Sequence, residues 1–156
     1  MKLYLVQHGK ARSEAEDPNR DLTVEGEKEV KVVAERAREM KLNPAWIYHS
    51  GKRRAEHTAE IIGKALDIPI GARFGLGPLD EVSLWAEKIN QGQENLMLVG
   101  HLPHLEKLAS YLIAGDEALR PLLFRNGSIN CLEQKENRKW AVRWVLTPEM
   151  IPDTSL

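Results

Sequence analysis

The sequence predicts an α/β fold: a single domain over residues 1–156, with a mainly parallel central sheet flanked by helices and a C-terminal hairpin at the sheet. Three observations predict it. Short apolar runs of strand length alternate with segments whose apolar residues recur at helical spacing, the order of a parallel sheet covered by helices. The C-terminal part instead reads as two strands joined by a polar turn. Finally, 156 residues suffice for one sizeable core and leave little room for a second.

The elements follow in chain order. Leu3 to Val6 is a short apolar run suited to a strand buried on both faces. Val30, Val33, Ala34, Ala37 and Met40 then recur at helical spacing, with Thr23 as N-cap and Glu25 and Glu27 at the positive end. Asn43–Pro44 breaks that helix, and Ala45 to Tyr48 reads as a second strand. Ala55, Ala59, Ile62, Ala65 and Leu66 mark the next helix, which ends before Pro69. From Pro69 to Pro78, three glycines and two prolines predict a loop or an irregular edge. Val82, Trp85, Ala86 and Ile89 suggest a short helix. Leu96 to Val99 is another buried strand, stopped by Gly100–His101, and Leu105, Leu108, Ala109, Leu112 and Ile113 form the face of a helix ending near Gly115. Ser128 to Leu132, the turn "EQKENRK", and the strict alternation of Trp140, Val142, Trp144 and Leu146 complete the hairpin.

Composition narrows the function. Hydrophobic content of 42% with 29% charged residues is ordinary for a globular protein. A net charge of −1 offers no basic field for nucleic acid or anionic lipid. The single cysteine, Cys131, lies in an apolar run, excludes an internal disulfide and reads as a buried small hydrophobe in a reducing compartment. Met1–Lys2 leads directly into strand-like sequence, and no apolar run reaches membrane-spanning length. A cytoplasmic protein without nucleic-acid or membrane partners is expected.

In a parallel α/β sheet, ligands sit at the carboxyl ends of strands. That rule selects Gln7–His8–Gly9, His49–Ser50–Gly51 and Gly100–His101. Glycines beside His8 and His101 permit close backbone approach to a ligand. Lys52, Arg53 and Arg54 open a helix, where positive charge is disfavoured unless an anion is near. A lone strand-end histidine or a basic helix start is ordinary surface. Three such features at successive strand ends of one sheet describe a phosphate pocket. His101 and His104, with His49 and His57, raise the idea of a metal site, but no dense ligand motif surrounds them and none is expected.

Together, "LYLVQHGKA", "NRDLT", "KRRAEHTAEII" and "LMLVGHLPHLEKLA" resemble the histidine phosphatase superfamily (branch 1), most closely its short SixA-type phosphohistidine phosphatases. The resemblance runs in order over nearly the whole chain. Its most specific parts are R-A-x-x-T-A, Arg54 to Ala59, and V-G-H-x-P, Val99 to Pro103. It implies a phosphoglycerate mutase-like fold and a metal-independent phosphatase without cofactor, in which fixed cations do the electrostatic work. It implies that His8 attacks phosphorus as neutral imidazole and carries the phosphoryl group. Arg54 and His101 would bind phosphoryl oxygens, and Gln7, Gly9, Arg20 and Leu102 would contribute further phosphate contacts. The substrate implied is a phosphohistidine-bearing protein, such as a phosphotransfer domain, or a small phosphorylated molecule.

The chain departs from the family at one signature position. The family pattern is R-H-G, and here Gln7 replaces the arginine. Hydrogen bonds to charged groups contribute about 1.5–3 kcal/mol against about 0.5–1.5 for neutral ones, so the loss is worth roughly tenfold in rate. Lys10 is a candidate to restore charge near the phosphate, the alternative being a solvated loop lysine. Asp80 and Glu81 are candidates for the acid that protonates an alcohol leaving group; the alternative is that they stabilise the N-terminus of the helix that follows. Phosphohistidine needs no such acid, because protonated imidazole leaves readily. Two other readings stay open: a small-molecule phosphomonoesterase, and a phosphoprotein-binding module weakened in catalysis by Gln7.

Overall fold

The structure is a computed structural model that describes residues 1–152. Six strands form one sheet: β1 (Lys2–Gln7), β2 (Trp46–His49), β3 (Ile70–Ala72), β4 (Leu96–Gly100), β5 (Ile129–Gln134) and β6 (Trp140–Leu146). Four helices accompany them: α1 (Val24–Glu39), α2 (Arg53–Leu66), α3 (Ser83–Gln91) and α4 (His104–Ala114), with a final 3-10 turn at Pro148–Met150. The strand order is β3-β2-β4-β1-β5-β6. β1, β2, β3 and β4 are mutually parallel, and the β5–β6 hairpin adds antiparallel to β1. The α/β architecture expected of the sequence is therefore present, as a mixed six-stranded sheet.

Alternation along the central strands divides the core. Leu3, Leu5 and Leu98 point to the side covered by α3 and α4, where Trp85, Ile89, Leu105 and Leu108 are buried. Tyr4, Val6, Met97 and Val99 point to the other side, against Val30, Val33 and Ala37 of α1 and Ala55, Ala59 and Ile62 of α2. Both faces of β1 and β4 are thus covered, which is why these strands read as continuous apolar runs. Thr23 caps α1 as expected, its Oγ1 accepting from Gly26 N at 2.9 Å. Cys131 is fully buried. Among the described residues no helix is long and apolar enough to cross a membrane.

Three expectations are corrected. The segment from Pro69 to Pro78 is not wholly irregular: Ile70–Ala72 pairs parallel with Ile47–His49 as a short edge strand, while the stretch from Arg73 to Pro78, with Gly75 and Gly77, stays outside the sheet. The alternation of β6 is broken by a register shift opposite Cys131/Leu132, where Leu132 faces Val142 and Cys131 faces Trp144. Arg143 is the extra residue of this bulge, and it switches the faces. Trp140 therefore packs on the α3/α4 side and Trp144 on the α1/α2 side, leaving Val142 44% exposed. Third, Asp80 and Glu81 do not support the start of α3. That helix begins at Ser83 with no acid in its first turn, and Asp80 Oδ2 instead accepts from Gly77 N at 2.7 Å, closing the preceding turn.

The β1–α1 connection is packed backbone on backbone. A Cβ at Gly26 would lie 2.3 Å from Lys10 O, and one at Gly9 would lie 2.7 Å from Val30 Cγ2 and 3.2 Å from Gly26 O. Gly26→Ala gains about 1 kcal/mol of helix propensity but forces a close-packed turn apart at about 1–3 kcal/mol. The expected outcome is a lower Tm, by a few degrees (about 2–6 °C) for a chain of this size, measured by calorimetry. A raised Tm would show that the turn yields at no cost.

Candidate active site

The carboxyl ends of β1, β2 and β4 meet, and each supplies part of one site. His8 follows β1 and His101 follows β4, and their imidazole centroids are 5.1 Å apart with the planes tilted by 53°. The backbone of His8 is held on both sides: its N–H donates to Gly100 O at 3.1 Å, and its carbonyl accepts from Asn126 Nδ2 at 2.9 Å and from Gly127 N at 3.3 Å. Gly127 N also donates to Gln7 O at 2.9 Å. The loop before β5 thus clamps the strand end from the side opposite β4.

Helix α2 is tied to the same turn by a single hydroxyl. Gly9 N donates to Thr58 Oγ1 at 3.0 Å, and Thr58 Oγ1 donates to Arg54 O at 2.8 Å. Thr58 is fully buried. This link fixes the first turn of α2 against the β1 terminus and sets Arg54 beside His8, where its Nε is buried with no hydrogen-bond partner among the described residues. Burial, and then the charge of Arg20, push the Arg54 guanidinium down from its ordinary value.

The two imidazoles are held by different partners. His8 Nδ1 lies 2.7 Å from Gly9 O. A carbonyl oxygen only accepts, so Nδ1 carries the proton and Nε2 keeps a lone pair. Ser50 Oγ accepts from Lys52 N at 3.3 Å and lies 2.6 Å from His101 Nε2. The Ser50 hydroxyl can donate to Nε2 or accept from it, and the Nδ1 of His101 is buried with no hydrogen-bond partner among the described residues. Burial is the main cause that pushes His8 down to about 4, opposed by the Gly9 hydrogen bond and assisted by Arg54 and Arg20. His101 is pushed down to about 3 by burial, then by His8, Arg54 and Lys52. Both rings are neutral at neutral pH, and the Nε2 of His8 carries a lone pair beside the charges of Arg54 and Arg20. The arrangement can attack an electrophile and hold an anion.

The other expected residues divide. Arg20 acts electrostatically on both His8 and Arg54, and its Nε donates to Arg12 O at 3.2 Å. Gln7 stands at the mouth of β1 with its Oε1 buried and unbonded. Leu102 packs its side chain against the core. Lys10 turns to α1, its Nζ 3.0 Å from Glu25 Oε1 and 3.9 Å from Glu29 Oε1; its charge is answered there, which removes the basis for Lys10 as a replacement for the missing arginine. Arg53 also leaves the cationic cluster, pairing with Asp21, Glu56 and Glu60. Asp80 and Glu81 are exposed, and Asp80 lines a cavity of about 560 Å³ with Ser50, Lys52, Arg73 and Phe74 that opens beside His101. His49 Nδ1 accepts from Gly51 N, and His104 is buried in the core. Among the described residues no three His, Cys, Asp or Glu side chains are grouped to hold a metal.

Ser50, Thr58, Asn126 and Gly127 were not singled out from the sequence. Thr58 stands in the R-A-x-x-T-A segment and Ser50 at a strand end already selected, so both carried a signal. Asn126 and Gly127 carried none, since they reach His8 only through the return of β5.

Comparison with known proteins agrees with this geometry. Residues 3–82 match the histidine phosphatase superfamily (branch 1). The chain is 26% identical over 155 residues to the phosphohistidine phosphatase SixA of Escherichia coli (strain K12), covering 95% of this chain and 94% of that protein. It is 37% identical over 123 residues, 74% of each chain, to an uncharacterized protein of Picosynechococcus sp.. Among solved structures, the protein histidine phosphatase SixA complexed with tungstate superposes with a TM-score of 0.84 at 25% identity, covering 96% of this chain and 99% of that one.

The neutral histidines give a pH signature. Unfolded, His8 and His101 protonate near the ordinary 6.5; folded, they do so near 4 and 3. Between those values the unfolded chain binds more protons, so stability falls as pH drops below about 6.5 and is unaffected above about 7.5. In an NMR titration of the ligand-free protein, both rings should stay neutral from pH 8 to 5, with His8 as the Nδ1–H tautomer. Midpoints near 6.5 would contradict the burial argument.

Proposed function

This chain belongs to branch 1 of the histidine phosphatase superfamily, and on that premise we propose that it hydrolyses phosphohistidine on a protein partner in the cytoplasm. The observation that carries the reading is His8: neutral, with Nδ1–H fixed on Gly9 O and the Nε2 lone pair facing a cationic pocket. The similarity to SixA phosphohistidine phosphatases over nearly the whole chain supports the substrate class.

The chemistry balances in two displacements. His8 Nε2 forms a bond to phosphorus while the P–N bond to the substrate imidazole breaks. The departing ring, protonated on its other nitrogen, takes the electron pair and leaves neutral. Phospho-His8 is an imidazolium whose Nδ1–H keeps its bond to Gly9 O. Water then attacks phosphorus, the P–N pair returns to Nε2, and the proton from water leaves with phosphate. Arg54 and Arg20, with His101, hold the equatorial oxygens, while Gln7, Gly9 N and Leu102 N supply neutral contacts. An anion in the pocket raises the affinity of His101 for a second proton. Fixed guanidinium groups offset the negative phosphoryl charge, the task a metal cation performs in metal-dependent phosphatases.

Mixing the protein with a partner carrying ³²P-phosphohistidine, then quenching without acid, should label wild type transiently and leave His8→Ala unlabelled, with phosphate released only by wild type. Tight binding with neither label nor phosphate would point to the binding module. Gln7→Arg should raise kcat/KM about tenfold by supplying a charged fork; an unchanged or lower value would show that the pocket is built around the amide.

A small-molecule phosphomonoesterase is the second reading, favoured by the cavity lined by Asp80 next to Ser50. Here Asp80 or Glu81 would protonate the leaving alcohol. Rates on a series of aryl phosphates separate the two. Steep dependence on leaving-group pKa fits an enzyme without an acid, and near-flat dependence supports Asp80 or Glu81 as the acid.

A further inference from the structure

The loop between β1 and α1 carries a residue in an uncommon backbone conformation next to the site. Arg20 has φ +48°, a left-handed position that an L side chain adopts only when its surroundings impose it. Its charge bears on His8 and Arg54, and two guanidinium groups facing one pocket repel each other when no anion lies between them. Something must hold the loop in.

The neighbouring carboxylate does so. Asp21 Oδ1 lies 2.7 Å from His57 Nδ1 and accepts from Leu22 N at 2.7 Å, and Asp21 Oδ2 lies 3.4 Å from Arg53 Nε. His57 and Arg53 stand on α2, on either side of the helical turn that begins with Arg54. The remaining bonds close the loop base: Arg12 N donates to Asp21 O at 2.9 Å, Arg20 Nε to Arg12 O at 3.2 Å, and Ala11 bridges Leu22. Arg53 is itself anchored at 2.8 Å to both Glu56 and Glu60. One helix therefore presents Arg54 to the pocket and, through its neighbours, grips the residue next to Arg20.

We propose that Asp21 and His57 are positioning residues: their pairing across the β1–α1 loop and α2 holds the Arg20 guanidinium against Arg54 and so sets phosphate affinity. The inference rests on the reading that Arg20 binds the phosphoryl group. Neither Asp21 nor His57 touches the substrate.

The test reads binding of inorganic phosphate by calorimetry, which needs no turnover, together with kcat/KM on free phosphohistidine and Tm. Arg20→Ala and Asp21→Ala should each weaken phosphate binding about tenfold. The double variant should be no worse than Arg20→Ala alone, because Asp21 acts only through Arg20. His57→Ala should cause a smaller loss, restored by His57→Gln, whose amide can donate to Asp21; this pair also serves if Asp21→Ala fails to fold. Additive losses in the double variant would overturn the proposal. So would a Tm loss in His57→Ala with phosphate affinity intact, which marks a merely structural pair. If Arg20→Ala itself binds phosphate as wild type does, the reading of Arg20 falls and the clamp falls with it. If Arg20→Ala weakens binding and Asp21→Ala does not, only the clamp fails.

Discussion

The hydroxyl of Thr58 is the point on which the site depends. It accepts from Gly9 N and donates to Arg54 O, so one buried atom joins the end of β1 to the first turn of α2. That join fixes the start of α2, and with it Arg54, against the turn that carries His8. The close approach it needs is available because Gly9 and Gly26 have no Cβ: α1 packs directly on the turn. The sheet contributes the other half, since the parallel pairing of β1 with β4 puts Gln7 opposite Gly100 and brings His101 alongside His8.

Burial then determines what the two histidines can do. An exposed pair among arginines would titrate near neutrality and present mixed protonation states. Here desolvation dominates and keeps both rings neutral, while the acceptor at Gly9 O selects which nitrogen of His8 keeps its lone pair. The guanidinium groups around them stay charged across the neutral range, so on the proposed reading the charge that receives a phosphate is permanent and the nucleophile beside it stays available. Gln7 fits the same picture as a weakened contact, since Arg54 and Arg20 remain.

Much of this was legible in the sequence, and the reasons are specific. β1 and β4 announced themselves as apolar runs because both faces are covered, and the strand-end rule then led to His8, His101 and the start of α2. The bulge in β6 was not legible: Arg143 looks like an ordinary polar position in an alternating strand, and only pairing with Cys131 and Leu132 shows that the faces switch. Lys10 and Arg53 are near the pocket in sequence, but carboxylates draw their charges elsewhere: Glu25 on α1 for Lys10, and Glu56 and Glu60 of its own helix together with Asp21 for Arg53. Asp80 was similarly claimed by a local turn that its backbone partner, Gly77, makes possible. Asn126 and Gly127 lie well over a hundred residues from His8 in the chain, and no local pattern could have connected them.

On the proposed reading, Nε2 of His8, and not Nδ1, forms the bond to phosphorus. The most direct measurement is ³¹P–¹⁵N coupling in the trapped phosphoenzyme, prepared from protein labelled with ¹⁵N-histidine. The account predicts phosphorus bonded to Nε2 of His8, with Nδ1 still protonated and shifted by its bond to Gly9 O. Phosphorus on Nδ1 of His8, or on any other histidine, would contradict it.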